Sequence, residues 1–325
     1  MLWRVIRNPV LSLRLHEKLG FSTYKEVQIY ETSTIQILCT NYGEEALAHL
    51  AEHGYDAKPL AGGQSLVPTM NFRLAQPGVL VDLNNVGELF YIRPSNGNGG
   101  VRMGAMTSQS EVERSSLVAE RSPLFHGAMP SIGFCQTRNR GTIGGSLAHA
   151  DPAAELSAVA VALDARFRLQ SQAGERWVPA AEFFLGPFFT ALDVGELLVE
   201  IELPPRPLRS GWCFTETTRR HHDFAMAGVA VLVTLDAGGE RCERARVVLF
   251  SVGDGPVESQ GAAEALQGQV PTPKAIRAAA ATAANDDIDP GGDIHASADY
   301  RRHLAEVLSR RALTQAFERA QGGLT

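Results

Sequence analysis

Two short glycine turns are the most chemically suggestive features of this 325-residue chain. The first is Ala61-Gly62-Gly63-Gln64-Ser65, running into Leu66; the second is Thr142-Ile143-Gly144-Gly145-Ser146. A diphosphate carries negative charge that must be met without steric obstruction. Successive backbone N–H groups in a glycine turn form an anion-holding concavity that side chains would otherwise block. Ser65, Thr142 and Ser146 add hydroxyl donors. A single Gly-Gly pair between a strand and a helix is ordinarily just a tight turn, but two such turns suit the bridging anion of one dinucleotide. The first strand is followed by no G-x-G-x-x-G, and the chain has no G-x-x-x-x-G-K-[ST], so neither a Rossmann site nor a P-loop is supported.

The elements that must hold these turns are legible on either side. Gly43 to His53 reads as a short helix with Ala46, Leu47 and Leu50 on one face, closed by Gly54. Ala57 to Ala61 is a strand that delivers the first turn, and Val79 to Leu83 is a second buried strand. Ser95 to Gly100 is turn chemistry for a hairpin, and Ser110 to Ala128 is helical. After the second turn, Asp151 is expected to cap a helix with Pro152 at its first position, Glu155 at its positive end and an apolar run from Leu156 to Leu163. Strands follow at Phe167 to Gln170, Leu197 to Leu203, Val229 to Leu235 and Val247 to Ser251. The tail turns alanine-rich from about Pro256, with Leu304, Val307, Leu308, Ala312 and Ala316 at helical spacing. The stretch Pro204 to Arg209 reads as a boundary between a cofactor domain and a C-terminal domain.

Composition limits the partners. The chain is 44% hydrophobic and 20% charged, with 31 glycines and 17 prolines, as expected of a globular, loop-rich protein of two or three domains. A net charge of -6 gives no attraction for nucleic acid or an anionic membrane. No apolar stretch approaches the ~20 residues of a membrane span. Cys39, Cys135, Cys213 and Cys242 form no CxxC pair, which argues against a zinc ribbon or a local iron-sulfur cluster. They read as reduced thiols of a cytoplasmic protein, although spacing alone leaves a disulfide open. The basic opening of the chain lacks a secretory apolar core, because Arg4, Arg7, Asn8, Pro9 and Arg14 interrupt it, and residues 1–42 are left without an assigned fold.

Three ordered runs, AGGQSLVPTMNFRLAQPGVLVDLN at 61–84, TRNRGTIGGSLAHADPAAELSAVAVALDA at 137–165 and FTETTRRHHDFAMAGVAV at 214–231, resemble the FAD-binding medium subunit of the xanthine dehydrogenase and carbon monoxide dehydrogenase family of molybdenum hydroxylases. The tail at 295–316 is similar to that family's C-terminal domain. The resemblance implies an α+β chain: a two-subdomain FAD-binding domain of the vanillyl-alcohol oxidase type over 43–206, then a small α/β domain over 210–325. It implies FAD on this chain, a small partner subunit with [2Fe-2S] clusters, a large one with molybdopterin, and a dimer of such heterotrimers. Electrons would pass through the clusters to FAD and on to an external acceptor.

Carried over by position, Ala61, Gly62, Gly63, Gln64, Ser65 and Leu66 match the first pyrophosphate loop, and Thr142, Ile143, Gly144, Gly145 and Ser146 the second. Glu155 matches an acid near the adenosine or ribityl part, and Asp151 the family's helix-capping acid. Leu197 and Leu198 match a strand that lines the flavin, and Ile132 a position near the ring. The chain departs from the family at 29–42 and at Phe214, Thr215 and Glu216, where some relatives place a Lys or Tyr against the flavin. His149 is placed near the cofactor, where it either bonds the flavin or satisfies its own loop. Arg219, Arg220, His221, His222 and Asp223 form the densest titratable cluster, read as a structural segment entering a strand with Asp223 pairing locally. His49 and His53 read as solvent-facing, and neither a metal site nor a catalytic side chain is expected on the chain. A self-sufficient flavoenzyme of the same fold, with its own organic substrate, is the alternative function, and a relative that has lost its cofactor is a further one.

Overall fold

The computed structural model describes residues 24–30, 33–95, 97 and 99–322. The basic opening of the chain, with the question of a targeting segment, lies outside the described residues. The first layer holds β1 (Tyr24–Tyr30), β2 (Ser33–Cys39), α1 (Gly43–His53), β3 (Ala57–Leu60), α2 (Leu66–Asn71) and β4 (Val79–Asp82). Its sheet has the order β1-β2-β4-β3, with β2 and β3 both parallel to β4. The alternation of β4 decides its packing: Val79 and Val81 face α1 with Ala46, Leu47 and Leu50, whereas Leu80 faces the other way with Ile35 and Met70. Strands β1 and β2 thus fall within residues 1–42, to which the sequence alone assigns no fold.

The second layer begins with the hairpin β5 (Ile92–Pro94) and β6 (Val101–Gly104). Short helices follow: α3 (Gln109–Arg114), α4 (Ser116–Arg121), α5 (Pro123–Ala128), α6 (Cys135–Arg140), α7 (Ile143–His149) and α8 (Glu155–Ala162). Then come β7 (Arg166–Ser171), β8 (Gly174–Pro179), α9 (Ala180–Phe183), the two-stranded pair β9 (Phe184–Gly186) and β10 (Phe189–Thr190), and β11 (Leu197–Leu203). An antiparallel sheet of order β5-β6-β11-β7-β8 backs these helices. Helix α8 is buried almost all round, which accounts for its unbroken apolar run.

The C-terminal part is an antiparallel sheet, β12 (Ser210–Thr218), β13 (Ala225–Leu235), β14 (Cys242–Phe250) and β15 (Val257–Glu258), covered by α10 (Gln260–Leu266), α11 (Pro273–Asn285) and α12 (Ala298–Ala320). Its helices follow the sheet rather than alternate with it. Val229, Val231 and Val233 of β13 face these helices, and Ala230 faces the second layer. A strand buried on both faces reads as a continuous apolar run, which is what AMAGVAVLV shows.

The cluster at 219–223 forms the β12–β13 connection. Arg219 Nη1 lies 3.0 Å from His295 Nδ1, and the rings of His221 and His222 stack. Asp223 does not pair as expected: its N–H donates to Arg220 O (3.0 Å), and its carboxylate has no ion pair among the described residues. All four cysteines are free thiols.

Candidate functional site

The first glycine turn leaves β3 at Leu60. Asn84 Nδ2 donates to Ala61 O (3.1 Å) and to Asp82 Oδ1, tying the turn to the end of β4. Gly63 has φ +71, a backbone conformation that favours glycine. Gln64 folds back so that its Nε2 donates to Gly62 O (3.1 Å), and Leu66 packs against the lower core. The consecutive N–H groups of Gly62, Gly63, Gln64 and Ser65 find no acceptor among the described residues. Gly62 is buried, Gly63 half-buried, and Gln64 and Ser65 exposed, so the row of donors runs from the interior out to solvent. Four neighbouring amides without partners constitute the donor set that an anion requires.

The second turn is built differently. Its glycines fall inside α7, a helix of its own rather than a loop ahead of α8. Thr142 caps it, Oγ1 accepting from Gly145 N (3.0 Å) and O from Ser146 N (3.1 Å). Ile143 N donates to Thr107 O (3.0 Å) and Gly144 N to Ala105 O (2.8 Å). Its amides are therefore bonded within the protein, and the segment offers the Thr142 and Ser146 hydroxyls together with surfaces free of Cβ. A Cβ on Gly144 would lie 2.4 Å from that of Ala105, so only glycine lets α7 settle this close to the chain leaving β6.

The two turns meet. A Cβ built on Gly62 would stand 2.0 Å from Arg140 O, and one on Gly145 would stand 3.4 Å from Ala61 Cβ. Arg140 spans the same junction, its Nη2 3.5 Å from Asn84 Oδ1. The sequence reading does not single out Asn84 and Arg140; their places two residues after β4 and two residues before the T-I-G-G run are the signal that could have found them.

Around this junction the other expected residues take distinct places. The His149 ring packs on Phe188 (5.1 Å between centroids), and burial lowers its pKa, with Asp151 opposing, so the imidazole is neutral at pH 7. Asp151 does not cap α8. Its Oδ1 accepts from Ala153 N and its carbonyl from Ala154 N, both at 2.9 Å, closing a turn ahead of the helix, whose N-cap is Ala154. Ser251 N donates to Pro152 O (3.0 Å) and ties this turn to the end of β14, so helical geometry starts only at Glu155. Burial pushes the Glu155 carboxyl up to about 7.

Phe214 and Glu216 lie on one face of β12, with Phe214 stacked on Phe250 (5.7 Å). Glu216 Oε2 is buried with no hydrogen-bond partner, and its carboxyl is pushed up to about 8 by burial and, second, by Glu155. Leu197 and Leu198 point to opposite cores and are both buried, as is Ile132. His49 and His53 are not solvent-facing as expected: their side chains are 19% and 28% exposed on the last turns of α1, where the helix lies close to Val194 and Gly195.

This fold and paired-turn architecture correspond to a flavoprotein domain followed by a flavoprotein C-terminal domain. The family model for the FAD binding domain in molybdopterin dehydrogenase matches residues 33–206, and that for the CO dehydrogenase flavoprotein C-terminal domain matches 212–316. The chain is 43% identical to the 6-hydroxypseudooxynicotine dehydrogenase complex subunit alpha of Paenarthrobacter nicotinovorans, over 86% of this chain and 93% of that one. It is 38% identical to the carbon monoxide dehydrogenase medium chain of Hydrogenophaga pseudoflava, over 85% and 94%. A solved carbon monoxide dehydrogenase from that organism, lacking the Mo-pyranopterin moiety of its molybdenum cofactor, superposes with a TM-score of 0.83, covering 87% of this chain and 97% of its own. The chain belongs to the FAD-binding medium subunits of the molybdenum hydroxylase family, which are oxidoreductase subunits of heteromeric enzymes. No described helix is long and apolar enough to cross a membrane.

Proposed function

We propose that the chain is the electron-transfer flavoprotein of a cytoplasmic molybdenum hydroxylase. It would receive electrons from [2Fe-2S] clusters of a small subunit and deliver them to an external acceptor, beside a large molybdopterin subunit, with two such heterotrimers associating. The observation that carries this reading is the row of four unbonded amides at Gly62 to Ser65, lying against the Thr142–Ser146 segment. What supports a pyrophosphate is the row of donors without partners on one side and the Thr142 and Ser146 hydroxyls on the other, with glycines allowing the two turns to approach this closely. In this reading residues 43–206 hold the cofactor and 210–325 form the C-terminal domain.

FAD, when bound, supplies the redox chemistry, and the protein supplies binding, orientation and electrostatics. Gly62, Gly63, Gln64 and Ser65 would donate backbone N–H groups to the bridging anion, and Thr142 and Ser146 their hydroxyls. Ala61, Leu66, Ile143, Gly144 and Gly145 set the spacing between the two turns. Glu155, with its proton retained to about pH 7, is assigned to the adenosine or ribityl part, and His149, neutral on Phe188, to the same wall. Asp151 would position Glu155 through the turn it closes, Leu198 and Ile132, which share one core, would back the ring, and Leu197, on the opposite face of β11, would hold that strand against the first layer. The exposed Leu185, Phe188 and Phe189 beside His149 supply an apolar surface for the iron-sulfur subunit.

Purification with its accompanying subunits tests the proposal. One releasable FAD per chain, with flavin bleaching after anaerobic reduction of the partner's clusters, is expected. Steady-state turnover of an organic substrate by the isolated chain would instead support the self-sufficient flavoenzyme.

A further inference from the structure

We propose that His49, Glu52 and His53 form a binding site on the last turns of α1 for a divalent transition-metal ion of the zinc class. The spacing i, i+3, i+4 puts the three side chains on one stripe of the helix. Glu52 Oε2 lies 3.9 Å from His49 Nδ1 and 4.0 Å from His53 Nε2, and all three donor atoms fall within 4.8 Å of one another. The imidazole rings are 6.5 Å apart and close to parallel.

Three observations favour an ion there. His49 Nδ1 is buried and has no hydrogen-bond partner, a condition that costs free energy unless something supplies one. The stripe ends at Gly54, where α1 stops, and the unpaired carbonyls of a helix C-terminus favour positive charge. The adjoining face of α1, with Ala46, Leu47 and Leu50, is buried against the first sheet, so the ligands stand on a fixed element.

The donor set selects the ion. Two imidazoles and one carboxylate suit zinc and its neighbours, leaving a fourth position for water, whereas magnesium and calcium demand oxygen ligands. Tetrahedral donors around zinc stand roughly 3.4 Å apart, so closure needs Glu52 to move by about half an ångström and the two imidazoles to approach one another by up to about 1.4 Å through side-chain rotation. Glu52, 69% exposed, is free to make them.

The test is a zinc titration of the EDTA-treated full chain, with the subunits it purifies with, followed by calorimetry and metal analysis. The expected result is one high-affinity zinc per chain that is lost together with the histidines, with a Kd on the order of micromolar. His53→Gln should weaken binding at least tenfold and Glu52→Gln severalfold, with FAD content unchanged. His49 is the more buried of the two histidines, so His53→Gln remains decisive where His49→Gln fails to fold. No zinc uptake at about a hundred times that Kd would overturn the proposal. So would uptake that persists undiminished in His53→Gln, which would put the ion on another group such as the exposed Cys135 thiol.

Discussion

The α-carbon of Gly62 faces the carbonyl of Arg140 so closely that a methyl group there would lie 2.0 Å from the oxygen and 2.7 Å from its carbon. The obstacle is backbone, so the two turns would have to separate. Gly62→Ala is expected to cost about 1–3 kcal/mol of stability by overpacking and to weaken FAD binding at least tenfold. Fluorescence titration of the FAD-free protein checks this. Gly87→Ala, whose Cβ meets nothing within 4 Å, is the control that should bind as wild type does.

Gly145 poses a milder steric problem and a larger electrostatic one. A Cβ there would stand 2.7 Å from Thr142 Oγ1, a side-chain atom that can rotate away. Gly145→Ala should therefore lose about tenfold in FAD affinity at most, whereas Gly145→Asp adds negative charge where the phosphates are assigned and should leave the protein colourless. A Gly145→Asp protein with full flavin content would remove the second turn from the site.

Glu216 makes stability depend on pH. The carboxyl ionises near 4.5 when unfolded and near 8 when folded. Between those values the folded chain retains a proton that the unfolded chain has released, so stability falls as pH rises. The contribution is fully present below about pH 4.5 and lost once pH passes about 8. Glu155 adds a similar slope that ends near 7. Glu216→Gln should flatten the wild-type loss by on the order of 2 kcal/mol between about pH 5 and pH 8.5, measured by urea unfolding. An unchanged slope would mean that Glu216 is ionised in the folded protein.

Much of the frame that brings the turns together was visible in the residues. Helix α1 and β11 run over the predicted spans because each carries one clear periodicity, closed by Gly54 in one case and by Pro204 in the other. Helix α7 was not visible, since two glycines oppose helix formation locally. Tertiary contacts override them: Ile143 and Leu147, four apart, are both fully buried, and Thr142 caps the first turn. Asp151-Pro152 carries a helix-start signature, yet the bond from Ser251, a hundred residues away in sequence, delays the helix, and no local pattern encodes that. The same holds for Glu216: strand alternation gives its face, but the carboxyl of Glu155 comes from another part of the fold.

Arg246 ties the C-terminal sheet to the cofactor domain. From β14 its Nη2 donates to Val161 O of α8 and to Glu258, both at 2.8 Å, and its Nη1 pairs with Asp164 on the turn after α8. The side chain is 7% exposed, so removing it strands desolvated acceptors. Asp164 is half exposed and keeps Arg244 at 2.8 Å, which softens the loss. Arg246→Met is therefore expected to destabilise the chain by about 3 kcal/mol, the low end for a broken buried pair. Because the contacts join the two halves of the chain, urea unfolding should separate into two transitions, the C-terminal sheet melting first. Combining the change with Asp164→Asn should cost less than the sum of the two single losses, since both delete the same ion pair. A single transition with additive losses would show that the halves are held together by apolar packing alone.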